Sequence, residues 1–402
     1  MRLIRKLLIF SFLFVIFYFE PVQIGPITFS QLWKIPFILY LIWQVLVYRK
    51  RKSRPAFIFW SYARGFKNLM NGGVLTNVLP EILDFIRYMM FPLMYEYLKI
   101  KVKSSKIYTQ MLNGFAQFII LSGIPFVLGI IESKGKQLEF GEEFTSYVGL
   151  FQNPHASAIT TAVAILVILA QLKTRQINYR LFHYFLVTIG IYLLFLSFVR
   201  TGYMMFIIGL IVLYKPSKLS ARQLFVSTAV LAGLVVGFLY LLDSNELFYN
   251  RIFDIRNNQQ TELGSGRLIF WSTTVNLWLS GGYFELLFGY GFDNLTSAIY
   301  NVTSLRVFSH SEIFTQLGQN GILGLFIFLF CMVSLLKFIW KRRQNESFKI
   351  TITIYTLYIS VMLTQGGVIF PFDVFMVIAM AKLSLETEEG AEFSLPNTQN
   401  RL

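Results

Sequence analysis

The run Ala156-Ser157-Ala158-Ile159-Thr160-Thr161-Ala162-Val163-Ala164-Ile165-Leu166-Val167-Ile168-Leu169-Ala170-Gln171-Leu172 carries no charge from end to end. As a helix rising about 1.5 Å per residue it reaches across most of a hydrocarbon layer about 30 Å thick. Leu224 to Leu242 is a second run of the same kind. Inside a bilayer every backbone N–H and C=O must find a protein partner, so a spanning segment is a helix or a strand of a closed barrel. A barrel would show alternating strands of roughly ten residues, whereas these runs are continuously apolar. The fold class expected is all-α, a polytopic integral membrane protein, in keeping with 55% hydrophobic and only 14% charged residues over 402 positions.

The formal charge of +15 would suggest nucleic acid in a soluble protein. Here Lys and Arg fall mostly in short segments between apolar runs, which makes them an orientation signal; the partner implied is a lipid bilayer and no nucleic acid. Basic clusters lie at the N-terminus and at Arg49–Arg54, Lys99–Lys106, Lys173–Arg180, Lys215–Arg222 and Lys337–Lys349. With each placed in the cytoplasm, an even number of crossings separates neighbours. The expected spans are then Leu7–Phe19, Ile35–Tyr48, Phe57–Met70, Leu79–Leu98, Ile107–Ile131, Ala156–Leu172, Leu181–Phe198, Thr201–Tyr214, Leu224–Leu242, Gly321–Trp340, Ile350–Gly366 and Val368–Leu385. That makes about 12 transmembrane helices with both termini inside. Phe57–Met70 carries Arg64 and Lys67, charges that are costly at mid-membrane, so a shallow helix is its alternative reading. The first run has no small-residue cleavage site after it and reads as an uncleaved span. The single Cys331 excludes a disulfide framework.

Four regions follow: residues 1–242 with nine spans, a long outer loop at 243–320, three spans in 321–385, and a polar tail at 386–402 with no evident structure. A loop as long as 243–320 is usually functional or disordered. This one contains an amphipathic stretch, Arg267–Leu279, and Gly-rich turns, so it is expected to be ordered, with short helices.

Four constellations converge on the outer face of that map. Asn153-Pro154-His155 precedes an inward span: Asn is a favoured N-cap and Pro suits the first turn, while a helix N-terminus with its free N–H groups also attracts an anion. Arg200 stands in Ser197-Phe198-Val199-Arg200-Thr201-Gly202, between two apolar runs with almost no turn, and either snorkels to the interface or grips a phosphate. Gly264-Ser265-Gly266-Arg267 is followed by Trp271 and by Gly289-Tyr290-Gly291. Ser265 suits a cap, but an Arg at a helix start opposes the dipole and suggests an anionic ligand. His310 closes the outer loop ahead of Gly318, Gly321 and Gly324. It is either a structural cap or a neutral imidazole able to take a proton from a hydroxyl. His155 and His183 are weaker candidates, His183 being structural near a cytoplasmic end. Two guanidiniums can hold a diphosphate bidentately and stabilise its departure without a metal. No Asp-rich pair of a metal-dependent transferase appears, so neither metal nor cofactor is expected; Glu142, Glu143, Asp293 and Glu312 are unassigned acids on this face.

These residues, in this order and on one face, resemble the O-antigen ligase and polymerase superfamily, most strongly from about Tyr147 to Gly324. The resemblance implies a glycosyltransferase of the helical C type in the cytoplasmic membrane of a bacterium, with its active site on the extracytoplasmic face. The donor would be an undecaprenyl-diphosphate-linked oligosaccharide and the acceptor a saccharide: a second lipid-linked repeat unit in the polymerase branch, lipid A core in the ligase branch. Arg200 and Arg267 would hold the diphosphate and His310 would act as base, with inversion at the anomeric carbon. Asn153, Ser265, Gly266, Gly289, Gly291 and Gly321 would support them, and a chain-length regulator is an implied partner. Ser311 and His155 depart from the family pattern, where Asn is common at both positions. The polymerase branch is preferred because nothing in the chain ties it to lipid A core. A flippase or other transporter is the rival of another class, expected to show inverted repeats and charges lining a path through span centres; a scaffold would leave Arg200, Arg267 and His310 dispensable.

Overall fold

The computed structural model describes residues 2–24, 27–48, 78–135, 139–140, 144–174, 179–214, 255–256, 259–260, 267–304, 307, 309–366 and 369–393. In chain order the helices are α1 (Arg2–Phe19), α2 (Phe29–Tyr48), α3 (Val78–Lys101), α4 (Ser105–Leu121), α5 (Ile124–Val127), α6 (Pro154–Lys173), α7 (Arg180–Leu196), α8 (Arg200–Tyr214), α9 (Arg267–Leu279), α10 (Tyr283–Phe288), α11 (Phe292–Thr303), α12 (Glu312–Trp340), α13 (Phe348–Thr364) and α14 (Phe370–Phe393). The described residues are otherwise regular only in three antiparallel pairs of two-residue strands, at 23–28, 139–145 and 255–260. Each expected span that falls within the described residues is helical over most of its length, Ile107–Ile131 as two helices that end at Val127; Phe57–Met70 and Leu224–Leu242 lie outside the described residues. Among the described residues three helical stretches are long and apolar enough to cross a membrane, Ser105–Val127, Pro154–Lys173 and Glu312–Trp340, with five shorter apolar helices beside them. The chain is a helical protein of the membrane-associated kind.

Helix α6 is the hub. It is apolar all round, the pattern of a helix surrounded by protein, and is buried from Ser157 to Ile168 without interruption. It packs against α4, α7 and α8 and more lightly against α13 and α14. Close approach comes from small residues. A Cβ on Gly202 would stand 2.5 Å from the Ala158 Cβ, one on Gly209 2.2 Å from a Leu166 methyl, and one on Gly190 2.7 Å from Ile165. At the C-terminal end of α6 Lys173 Nζ donates to the Leu213 carbonyl (3.1 Å), keeping α6 and α8 in register.

Helix α12 is two helices joined at a bend. Gly321 inside it has φ 63° and ψ −167°, which breaks the i to i−4 ladder and strands the carbonyls before it. The segment after α10 takes them up: Tyr290 N donates to Gly318 O (2.8 Å) and Gly291 N to Gln319 O (3.0 Å). The two backbones touch. A Cβ on Gly321 would lie 2.4 Å from the Leu287 carbonyl and one on Gly289 2.4 Å from the Gln319 carbonyl carbon. Before the bend, Thr315 to Asn320 are buried and mostly polar; after it, Ile322, Leu323 and Phe326 are exposed, as befits a lipid-facing helix. The bend falls at Gly321, the residue at which the expected span Gly321–Trp340 begins.

The C-terminal region corrects an expectation. The tail was expected to be without structure from Glu386, yet α14 runs on to Phe393. The Glu386 carboxylate accepts hydrogen bonds from Ser347 Oγ (2.6 Å), Ser347 N (3.1 Å) and Ser105 Oγ (3.3 Å) and pairs with the buried Lys382 at 3.6 Å. Those partners, Ser105 on α4 and Ser347 at the N-cap of α13, hold the extra turns.

Candidate active site

The site forms where α6, α8, α9 and α12 begin and α13 ends. Asn153 is extended (φ −160°, ψ 164°), and its Oδ1 accepts from Ala156 N at 2.9 Å, with Pro154 in the first turn. The side chain expected at this position thus caps α6. The segment before it is packed rather than solvated: Ser146 and Val148 to Phe151 are buried, Tyr147 N donates to Leu196 O (2.9 Å), and Ser133 Oγ donates to Gly149 O (2.8 Å). Burial raises the Tyr147 phenol well above its usual range, so it stays a neutral packing group.

Arg200 opens α8 after a turn of only Ser197 to Val199. That turn is closed by Ser197 Oγ donating to Leu194 O (2.6 Å), by Tyr203 Oη donating to Phe195 O (2.8 Å), and by Phe198 in the left-handed region at φ 52°. Arg200 is therefore held by backbone rather than swinging on a loop. Arg267 occupies the equivalent place on α9, as its first residue. Ser265 and Gly266 lie outside the described residues.

His310 stands one residue before Ser311, the N-cap of α12, with φ 50°. Left-handed backbone is uncommon outside glycine, Asn, Asp and His, and costs of order 1–3 kcal/mol. Helix α9 holds it there: Trp271 Nε1 donates to Ser309 O (2.8 Å), Thr274 Oγ1 and Ser309 Oγ share a hydrogen bond (3.0 Å), Trp271 stacks on Phe314 with centroids 5.0 Å apart, and the Phe270 ring lies 5.5 Å from the imidazole. The imidazole is partly buried and its pKa is depressed, first by that burial and second by the positive charge of Arg267; a hydrogen bond to the backbone of Gln365 opposes them. Arg267 and His310 are thus brought within electrostatic reach of each other, and the ring is kept neutral at physiological pH.

Gln365, which sequence reading passed over as the end of a span, joins the constellations. It caps α13, and its Nε2 donates to Thr201 Oγ1 (2.7 Å) and meets His155 Nδ1 at 3.1 Å. Its neighbour Gly366, at φ 61°, packs against the N-cap of α12: a Cβ there would be 3.0 Å from Ser311 N. One residue thereby touches the start of α6 through His155, the residue after Arg200 through Thr201, and His310 through its backbone. His155, discounted from sequence, belongs to the site. The signal available was a polar residue followed by two glycines at the end of an apolar run.

The remaining residues fall outside this cluster or support it. Gly289, Gly291 and Gly321 form the backbone clasp that sets the α12 bend. Glu312 is buried and its carboxylate accepts from Gln316 Nε2, while Gln316 Oε1 accepts from Asn320 Nδ2 (2.7 Å), a ladder along one face of α12. His183 is buried elsewhere, with Nδ1 3.0 Å from Tyr179 O and Nε2 3.0 Å from Gln117 Nε2, the structural role expected for it. Among the described residues no group of three or more His, Cys, Asp and Glu gathers as metal ligands. No protein-family model matches the chain, and no curated protein matches it.

Proposed function

We propose that the chain is a membrane glycosyltransferase that polymerises undecaprenyl-diphosphate-linked oligosaccharide repeat units of a bacterial surface polysaccharide, on the outer face of the cytoplasmic membrane. Its roughly twelve spans would form a helical C-type glycosyltransferase fold. The observation that carries this reading is the convergence on Gln365 of His310, with Arg267 in electrostatic reach, and of Thr201, the neighbour of Arg200. Two guanidiniums at helix starts suit a diphosphate. A neutral imidazole beside them suits a hydroxyl that must lose its proton.

In this mechanism His310 takes the proton of the acceptor hydroxyl as its oxygen bonds to the anomeric carbon of the donor. The bond from that carbon to the diphosphate breaks on the opposite side, giving inversion. Arg200 and Arg267 hold the charge that develops on the departing lipid diphosphate. Burial of the imidazole and the nearby Arg267 keep it deprotonated before the step, which is the state a base requires.

The test is the gel profile of surface polysaccharide from cells lacking the gene, complemented with wild type or with His310→Ala. Collapse to a single repeat unit on its normal acceptor, rescued by wild type alone, supports a polymerase with His310 as base. Full-length polymer retained on the lipid carrier makes the chain a ligase instead. An unchanged profile refutes both and returns the transporter reading.

A further inference from the structure

The sequence offers His310 and the arginines as the working groups, and neither explains how segments so far apart in the chain keep a fixed spacing. His310 sits on a left-handed residue outside any helix, braced by α9 on one side. Arg200 belongs to α8, which packs on α6 and α13. Gln365, in the α13–α14 turn, links these two halves, its side chain reaching across 164 positions of sequence to Thr201.

We infer that Gln365 is a positioning residue of this site: its side-chain amide, shared between Thr201 Oγ1 and His155 Nδ1, and its backbone, held against His310, fix where the imidazole stands relative to the start of α8. This rests on the glycosyl-transfer reading above. Both amide protons are used, so His155 accepts at Nδ1 and carries its own proton on Nε2. Where the imidazole donates to the Gln365 carbonyl, one ring nitrogen carries its proton there and the other keeps its lone pair for the acceptor hydroxyl. That carbonyl lies at the C-terminal end of α13, the negative end of the helix dipole, which favours the imidazolium that forms when the hydroxyl is deprotonated. Gly366 presses the same turn onto the Ser311 N–H, so the contact with the His310 segment is made by backbone and does not depend on the imidazole alone.

Gln365→Met keeps the length of the side chain and removes its hydrogen bonds; Thr201→Val removes the acceptor from the other side. The measurements use the full-length protein in nanodiscs. One is the rate of transfer with lipid-linked saccharide extracted from cells lacking the gene; the other, with no substrate present, is the rate at which diethyl pyrocarbonate modifies His310, followed by peptide mass spectrometry. Gln365→Met is expected to lower kcat by about a hundredfold, the scale of a misplaced catalytic group, with KM little changed, and to speed modification of His310 severalfold. Thr201→Val is expected to act in the same direction, and the double variant to be no worse than Gln365→Met. Gln365→Glu, to which Thr201 can donate, is expected to recover part of the loss. Wild-type kcat and unaltered His310 reactivity in Gln365→Met overturn the inference; should that variant not accumulate, the same result in Thr201→Val does so. If wild-type protein transfers no sugar, the glycosyltransferase reading fails, and the His310 reactivities still decide whether Gln365 positions the ring.

Discussion

At the scale of single residues, the depressed pKa of His310 has a defined consequence for rate. A base works only when neutral, so activity should be flat around neutrality and fall only below the ordinary imidazole value of 6.5. Arg267→Gln removes one of the two causes of the depression; the ring pKa rises, and the acid limb of the normalised pH–rate profile should move to higher pH. A limb that stays in place would remove the electrostatic link between the two residues. The left-handed backbone at His310 separates fold from chemistry. His310→Asn, which tolerates that backbone, is expected to accumulate normally and be inactive, whereas the β-branched His310→Val should also lose roughly 1–3 kcal/mol of stability in thermal melts. Arg200→Lys and Arg267→Lys should each lose at least about tenfold in activity, since an ammonium cannot make a two-pronged contact, and EDTA should leave wild-type transfer unchanged. Wild-type rates in both Lys variants would move the diphosphate elsewhere. His310, Arg200 and Arg267 were legible as candidates, Arg200 from a turn too tight for an ordinary solvated loop, Arg267 as a cation at a helix start and His310 from its place where the long polar loop gives way to a helix. Gln365 was not: a neutral amide closing a helix looks like an ordinary cap, and its contact to Thr201 crosses 164 residues.

At the scale of elements, hydropathy located the helices well because burial in lipid demands length and apolarity together. Arg267–Leu279 was legible as a helix to the residue, and the expected start of a span at Gly321 coincides with the α12 bend. What hydropathy missed depends on polar contacts between distant segments, as in the extension of α14 to Phe393 through Glu386. The glycines of the clasp were visible as glycines, but not as one joint made from two stretches of backbone. Gly321→Ala and Gly289→Ala each place a methyl 2.4 Å from backbone at φ 63° and 73°, with no flexible side chain to give way. Each should cost more than about 3 kcal/mol and abolish folded protein in size-exclusion profiles. Gly114 is the control, helical and with nothing within 4 Å of an added Cβ. Gly114→Ala should be neutral or stabilising by up to about 1 kcal/mol, and a collapse there would show that the helix α4 surface is not open.

At the scale of the whole molecule, the basic clusters imply an orientation that labelling can test. In a Cys331→Ala background, Ile130→Cys and Tyr283→Cys, at positions 70% and 91% exposed, should react with an impermeant maleimide on intact cells. Leu181→Cys, at 85%, should react only after permeabilisation. The opposite pattern would invert the topology and with it the side on which the candidate site opens. The central place of α6 also sets an order of assembly. Its partners α4, α7 and α8 are all made by Tyr214, whereas α13 and α14, which complete its surroundings and supply Gln365, begin only at Phe348. At a synthesis rate of about 5–20 residues per second the ribosome needs roughly 7 to 27 seconds to close that gap. During that interval the newborn chain already holds the helix that carries Arg200 but not Gln365, so the cluster around Gln365 can close only once α13 has been made.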